Sequence, residues 1–119
     1  MSKKVLIVDD AAFLRMQLKE MFVKCGAEVV GEAANGAECL EKYPLLKPDL
    51  VTMDITMPTT DGIQALQLIK HYDKDACVVM ITAAGQKDKM LQALKEGAAE
   101  FITKPFDKEE VVKIIGKIV

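Results

Sequence analysis

The chain has 119 residues, half of them hydrophobic and 29% charged, with a net charge of −2. That length argues for one domain over 1–119, with enough apolar residues for a full core without disulfides. The balanced, mildly acidic charge excludes a general nucleic-acid or anionic-membrane binder, and no apolar run approaches the ~18 residues of a membrane span. Val5–Val8 reads as a first strand, followed by a helix from Phe13 to Cys25 that Gly26 stops. Glu28–Ala33 is a weaker second strand. Asn35 and Glu38 have the spacing of a helix-starting capping box. That helix is expected to end or kink near Tyr43, because Pro44 has no N–H to donate. Leu50–Met53 is a third strand and Ile63–Tyr72 a third helix. Cys77–Ile81 is a fourth strand, and Lys87–Glu96 is a helix closed by Gly97. Glu100–Thr103 is a short fifth strand. Asp107 and Glu110 start a last helix that runs to the C-terminus.

The pattern is α/β, with five βα units. Strands that read as continuous apolar runs belong in a parallel sheet covered on both faces. Five units are too few for a closed eight-stranded barrel, so an open, doubly wound sheet is expected. The cysteines (Cys25, Cys39 and Cys77) match no metal spacing and read as core or near-core residues. With no signal peptide, the protein is expected to be cytoplasmic, and a monomer.

Ligands of open parallel sheets bind beyond the carboxyl ends of the strands. There the sequence places Asp9 and Asp10 after the first strand, Asp54 after the third, Thr82 after the fourth and Lys104 after the fifth. Two like charges ~4 Å apart repel by roughly 4 kcal/mol at an effective dielectric of 20. Either some of these carboxyls are protonated or a cation sits among them. Oxygen ligands without His or Cys suit a hard divalent ion such as Mg2+, which favours phosphate chemistry. A carboxylate can itself accept a phosphoryl group. Asp54 is then the nucleophile, Lys104 the ammonium clamp, Thr82 the hydroxyl donor, and Asp9 and Asp10 the metal holders. Taken singly, each residue has a plainer role: Asp10 as a helix cap, Thr82 as a turn residue, Lys104 as a solvated cation.

At these residues the chain resembles the receiver domains of two-component response regulators. "VLIVDD", "DLVTMDITMPTTDG", "VVMITA" and "FITKPF" are that family's motifs in order, and they cover essentially the whole chain. The resemblance implies a flavodoxin-like fold with strand order 2-1-3-4-5. It implies that Asp54 is the phosphoacceptor, charged by a histidine kinase in a Mg2+-dependent reaction, and that the domain catalyses both this transfer and its own dephosphorylation. Asp10 would be the more direct metal ligand and Asp9 would act through water, with the backbone carbonyl of Thr56 completing the set. Thr82 and Phe101 take the places of the switch residues, and Phe101 has no hydroxyl where relatives often carry Tyr. The Lys104–Pro105 bond is implied to be cis. Thr56 and Ala84 occupy the positions that tune hydrolysis, and a small Ala84 implies a short-lived phosphoryl form.

The stretch "DDAAF", the segment "VTMDITMP" and the triplet "AGQ" at 84–86 resemble the stand-alone members of the family that serve chemotaxis. That likeness implies a flagellar motor switch protein as partner, bound through Lys87, Lys89, Met90, Phe101, Val112 and Lys113. Other readings are a phosphorelay carrier, a receiver trimmed from a longer regulator and a receiver that works without phosphorylation. A dehalogenase-type phosphatase lacks its general acid, because Thr56 stands where a second Asp is required. His71 is expected on the surface.

Overall fold

The computed structural model describes residues 3–57, 61–83 and 85–118. Ten elements alternate in chain order: β1 Lys4–Val8, α1 Ala12–Lys24, β2 Glu28–Ala33, α2 Gly36–Leu46, β3 Leu50–Asp54, α3 Gly62–Tyr72, β4 Val78–Thr82, α4 Lys87–Lys95, β5 Glu100–Thr103 and α5 Lys108–Ile118. All four strand pairings are parallel, and the sheet order is β2-β1-β3-β4-β5. The expected fold and order are therefore present.

Strand pleating explains the two cores. Successive side chains point to opposite faces. Val5 and Ile7 of β1, Leu50 of β3, Val79 and Ile81 of β4 and Ile102 of β5 pack with Leu18 and Phe22 of α1 and Val111 of α5. Leu6, Val8, Val51, Met53, Val78 and Met80 face the other way, onto Cys39 and Tyr43 of α2, Leu66 and Ile69 of α3 and Ala93 of α4. Every residue of β3 and of β4 is buried. Edge strand β2 is only half-buried, which accounts for its weaker apolar signature. Cys39 lies in the core, and burial pushes its thiol up to about 12, so it stays protonated at neutral pH.

The helix starts follow their caps. The Asn35 side chain accepts from the Glu38 N–H at 2.9 Å, and the Glu38 carboxylate accepts from the Ala34 N–H at 3.0 Å. Asp61 caps α3 and Asp107 caps α5 in the same way. Pro44 departs from expectation. It sits inside α2, which continues to Leu46 and stops at Lys47 in a left-handed conformation, with φ 48°. The missing N–H costs one bond in the last turn, where the helix is about to end, so the stop comes three residues later than Pro44 alone suggests.

One hydroxyl in the sheet is orphaned. Thr52 of β3 is fully buried, and its Oγ1 has no hydrogen-bond partner. A buried unpaired hydroxyl carries its desolvation cost without return. Thr52→Val is therefore expected to raise stability by about 1 kcal/mol, read as a higher unfolding midpoint in urea. A lower midpoint would reveal a partner for the hydroxyl.

Candidate functional site: an acidic pocket with one lysine

Three strand ends deliver the site. Asp54 is the last residue of β3, and Asp9 and Asp10 directly follow β1. In β1 the odd residues face α1 and α5, and in β3 the even ones do. The same alternation carries Asp9 and Asp54 to one side, and Lys104, two residues beyond Ile102, to that side as well. Asp9 is 0% exposed and Asp54 4%, whereas Asp10 is exposed. One carboxylate oxygen from each of the three lies within 4.8 Å of the others. Lys104 Nζ stands 3.4 Å from Asp54 Oδ2 and 3.7 Å from Asp9 Oδ2.

The loop geometry is set by close backbone contacts. Asp9 Oδ1 accepts from the Ala11 N–H at 2.9 Å, which turns the chain into α1. The Arg15 guanidinium holds the same turn through the Asp9 carbonyl and pairs with Glu32 at 3.0 Å. Gly62 donates to the Ile55 carbonyl at 2.7 Å. A Cβ on Gly62 would lie 2.1 Å from the Asp54 carbonyl oxygen, so only glycine lets α3 return this close to the end of β3. The Lys104 N–H donates to the Thr82 carbonyl at 2.6 Å, tying β5 to β4 at the rim, and the Lys104–Pro105 bond is cis, as the resemblance implied.

Electrostatics follow from burial. Burial pushes the Asp54 carboxyl above its ordinary value, and the negative charge of Asp9 adds to this. Lys104 and the Thr56 N–H, 3.4 Å from Asp54 Oδ1, act in the opposite sense. Asp9 is also raised, first by burial, against the Ala11 N–H and Lys104. Its Oδ2 is buried without a hydrogen-bond partner. That orphaned oxygen, the three clustered carboxylates and the lack of His or Cys among them fit a hard divalent cation.

Thr82 is buried at the end of β4 and belongs to the opposite pleat from Asp54. Thr56 is exposed at the mouth. Ala84 lies outside the described residues. Phe101 is half-buried on β5, beside Met80, and packs against the α2–α4 core. Of the expected partner surface, Lys87, Lys89, Val112 and Lys113 are exposed and Met90 is half-buried. His71 is exposed at the end of α3. Gln86 was given no role from sequence, yet its side chain crosses the mouth. Its Nε2 donates to Thr56 Oγ1 at 2.6 Å, and its Oε1 accepts from the Ala83 N–H at 2.7 Å.

A parallel five-stranded sheet that gathers three carboxylates and a lysine at its carboxyl edge defines a class. The chain belongs to the response-regulator receiver domain family, which matches residues 5–116. Among its relatives are the chemotaxis protein CheY of Thermotoga maritima, 52% identical over 99% of this chain and 98% of the relative, and that of Bacillus subtilis, 52% identical over 98% of each. A chain in the crystal structure of the CheX–CheY–BeF3–Mg2+ complex from Borrelia burgdorferi superposes with a TM-score of 0.92 at 40% identity, covering 98% of this chain and 90% of that one. The CheB response-regulator domain of Thermotoga maritima gives 0.86 at 38% identity, over 99% and 94%. No helix among the described residues is long and apolar enough to cross a membrane.

Proposed function

We propose that this chain is a cytoplasmic, CheY-like chemotaxis response regulator that takes a phosphoryl group on Asp54 from the phosphohistidine of a histidine kinase. The observation that carries this reading is a buried Asp54 carboxylate with Lys104 Nζ 3.4 Å away, inside an acidic cluster that fits a divalent ion. Mg2+ would be held by Asp9, Asp10, Asp54 and the Thr56 carbonyl, and when bound it would neutralise charge on the transferring group. The Asp54 oxygen bonds to phosphorus as the bond from phosphorus to the donor's imidazole nitrogen breaks. Lys104 would then meet the phosphoryl oxygens, and the Thr82 hydroxyl would move toward them from the opposite pleat. In this reading the domain itself catalyses the transfer and the later hydrolysis.

The phosphoryl form would be read on the face built by α4, β5 and α5, where Lys87, Lys89, Met90, Phe101 and Val112 stand, by a flagellar motor switch protein. The CheY relatives support that partner class, and the CheX–CheY neighbour supports a CheX-type partner as well. The test is intact-mass measurement after incubation with acetyl phosphate, with Mg2+ or with EDTA. The expected result is a gain of one phosphoryl group with Mg2+ only. No gain in either condition would remove the phosphoacceptor reading.

A further inference from the structure

The two loops flanking the mouth of the pocket are joined by one side chain. Gln86 precedes α4, and its carboxamide folds back to grip both Thr56, two residues after Asp54, and Ala83, next to Thr82. The orientation of the amide is determined by its neighbours. A backbone N–H only donates, so the oxygen must face Ala83, and Nε2 is left for the Thr56 hydroxyl. Thr56 is in turn bound to the nucleophile position, because its N–H donates to Asp54 Oδ1 at 3.4 Å. A continuous hydrogen-bonded path therefore runs from Asp54 through Thr56 and Gln86 to Ala83.

We infer that Gln86 is a positioning residue for hydrolysis of the phosphoryl group: acting through Thr56, it holds the two loops together and limits the approach of water to Asp54. This rests on the phosphoacceptor reading above. Hydrolysis requires a water oxygen to bond to phosphorus as the bond between phosphorus and the Asp54 oxygen breaks. Asp54 departs as carboxylate, and the released phosphate and bulk water take up the proton. On this proposal the attacking water enters between Thr56 and Ala83, the two residues that the Gln86 carboxamide joins. Without the bridge the exposed Thr56 is free to move away from Ala83, and the gap widens.

The test compares wild type with Gln86→Met, which keeps the length of the side chain and loses both hydrogen bonds, with Thr56→Val and with the double variant. Each is phosphorylated with acetyl phosphate and Mg2+, stripped of donor, and followed by intact mass. A hydrogen bond of ordinary net worth corresponds to about a fivefold change in rate. Both single variants are expected to lose the phosphoryl group about fivefold faster, and the double variant no faster than either. Thr56→Ser, which retains a hydroxyl, should decay more slowly than Thr56→Val. Multiplying effects in the double variant, or an unchanged lifetime in Gln86→Met, would overturn the inference.

Amide hydrogen exchange at Ala83 in the unphosphorylated protein reads the bridge separately. Protection in wild type that is lost in Gln86→Met is expected, and an unprotected Ala83 in wild type would sink the bridge even if phosphorylation proceeds normally. A wild-type protein that takes up no phosphoryl group would instead fail the phosphoacceptor reading and the hydrolytic role with it, while the exchange result would still decide whether the bridge exists.

Discussion

Asp54→Asn is expected to abolish phosphoryl gain in full and, in the same protein, to raise the melting temperature of the metal-free form at pH 7. The first effect follows from chemistry: a carboxamide has no anionic oxygen to offer phosphorus. The second follows from burial. Asp54 is 4% exposed, and its carboxyl is pushed above the ordinary 3.8, first by desolvation and then by Asp9. A group whose folded-state value is raised contributes its stability fully below the unfolded value and loses it as pH rises through the folded value. At pH 7, above the unfolded value, burying the Asp54 carboxyl therefore works against folding. Asn keeps the shape without the charge, for a gain of about 1 kcal/mol, or several degrees. The gain should shrink as pH falls toward 3.8, where the wild-type carboxyl is protonated. Melting curves in EDTA at pH 7 and in mild acid would check this, and an equal gain at both would sink the charge argument. Mg2+ at a hundred times its Kd should stabilise the wild type by about 2.7 kcal/mol, and Asp54→Asn by less.

The order of the elements and the identity of the strand-end residues were readable because they rest on local signals. Apolar runs, helix-starting Asn35 and Asp107 side chains, and stopping glycines speak within a few residues of one another. The sequence was less informative where geometry across the sheet decides. The adjacent pair Asp9 and Asp10 looks symmetrical on paper, but pleating sends Asp9 inward to 0% exposure and leaves Asp10 outside. The carboxyls that burial desolvates are those of Asp9 and Asp54. Thr82 was legible as a strand-end hydroxyl, while its place on the opposite pleat from Asp54 emerges only once register is known. Gln86 is legible only as the end of the AGQ triplet, because nothing local shows what its side chain reaches. Its partner Thr56 lies 30 residues away in the chain, and only parallel pairing of β3 with β4 brings their loops together. Pro44 lies in the last turn of α2, where its missing N–H costs little, so the helix reaches Leu46.

Lys104→Met is expected to slow phosphorylation by about a hundredfold or more, the loss that follows removal of one preorganised donor from a developing oxyanion. It should also destabilise the metal-free protein. Lys104 pairs with both Asp54, at 3.4 Å, and Asp9, at 3.7 Å, where its Nζ stands against the otherwise orphaned Asp9 Oδ2. Its charge lowers both carboxyls, so its removal leaves Asp54 raised by burial and by Asp9, and Asp9 raised by burial and by Asp10. The sign is then fixed: stability of the variant should fall more steeply than that of wild type as pH rises from mild acid to neutrality. Lost packing of the lysine stem would lower the melting temperature too, but without that slope. A second comparison separates the two causes. If repulsion between buried carboxylates is responsible, Asp54→Asn added to Lys104→Met should recover most of the lost stability, since one of the two charges is gone. If packing is responsible, the two substitutions should act independently. Urea unfolding of the four proteins at pH 7 in EDTA gives the coupling directly, and a coupling near zero would mean that Lys104 is not what holds this acidic pocket together in the absence of metal.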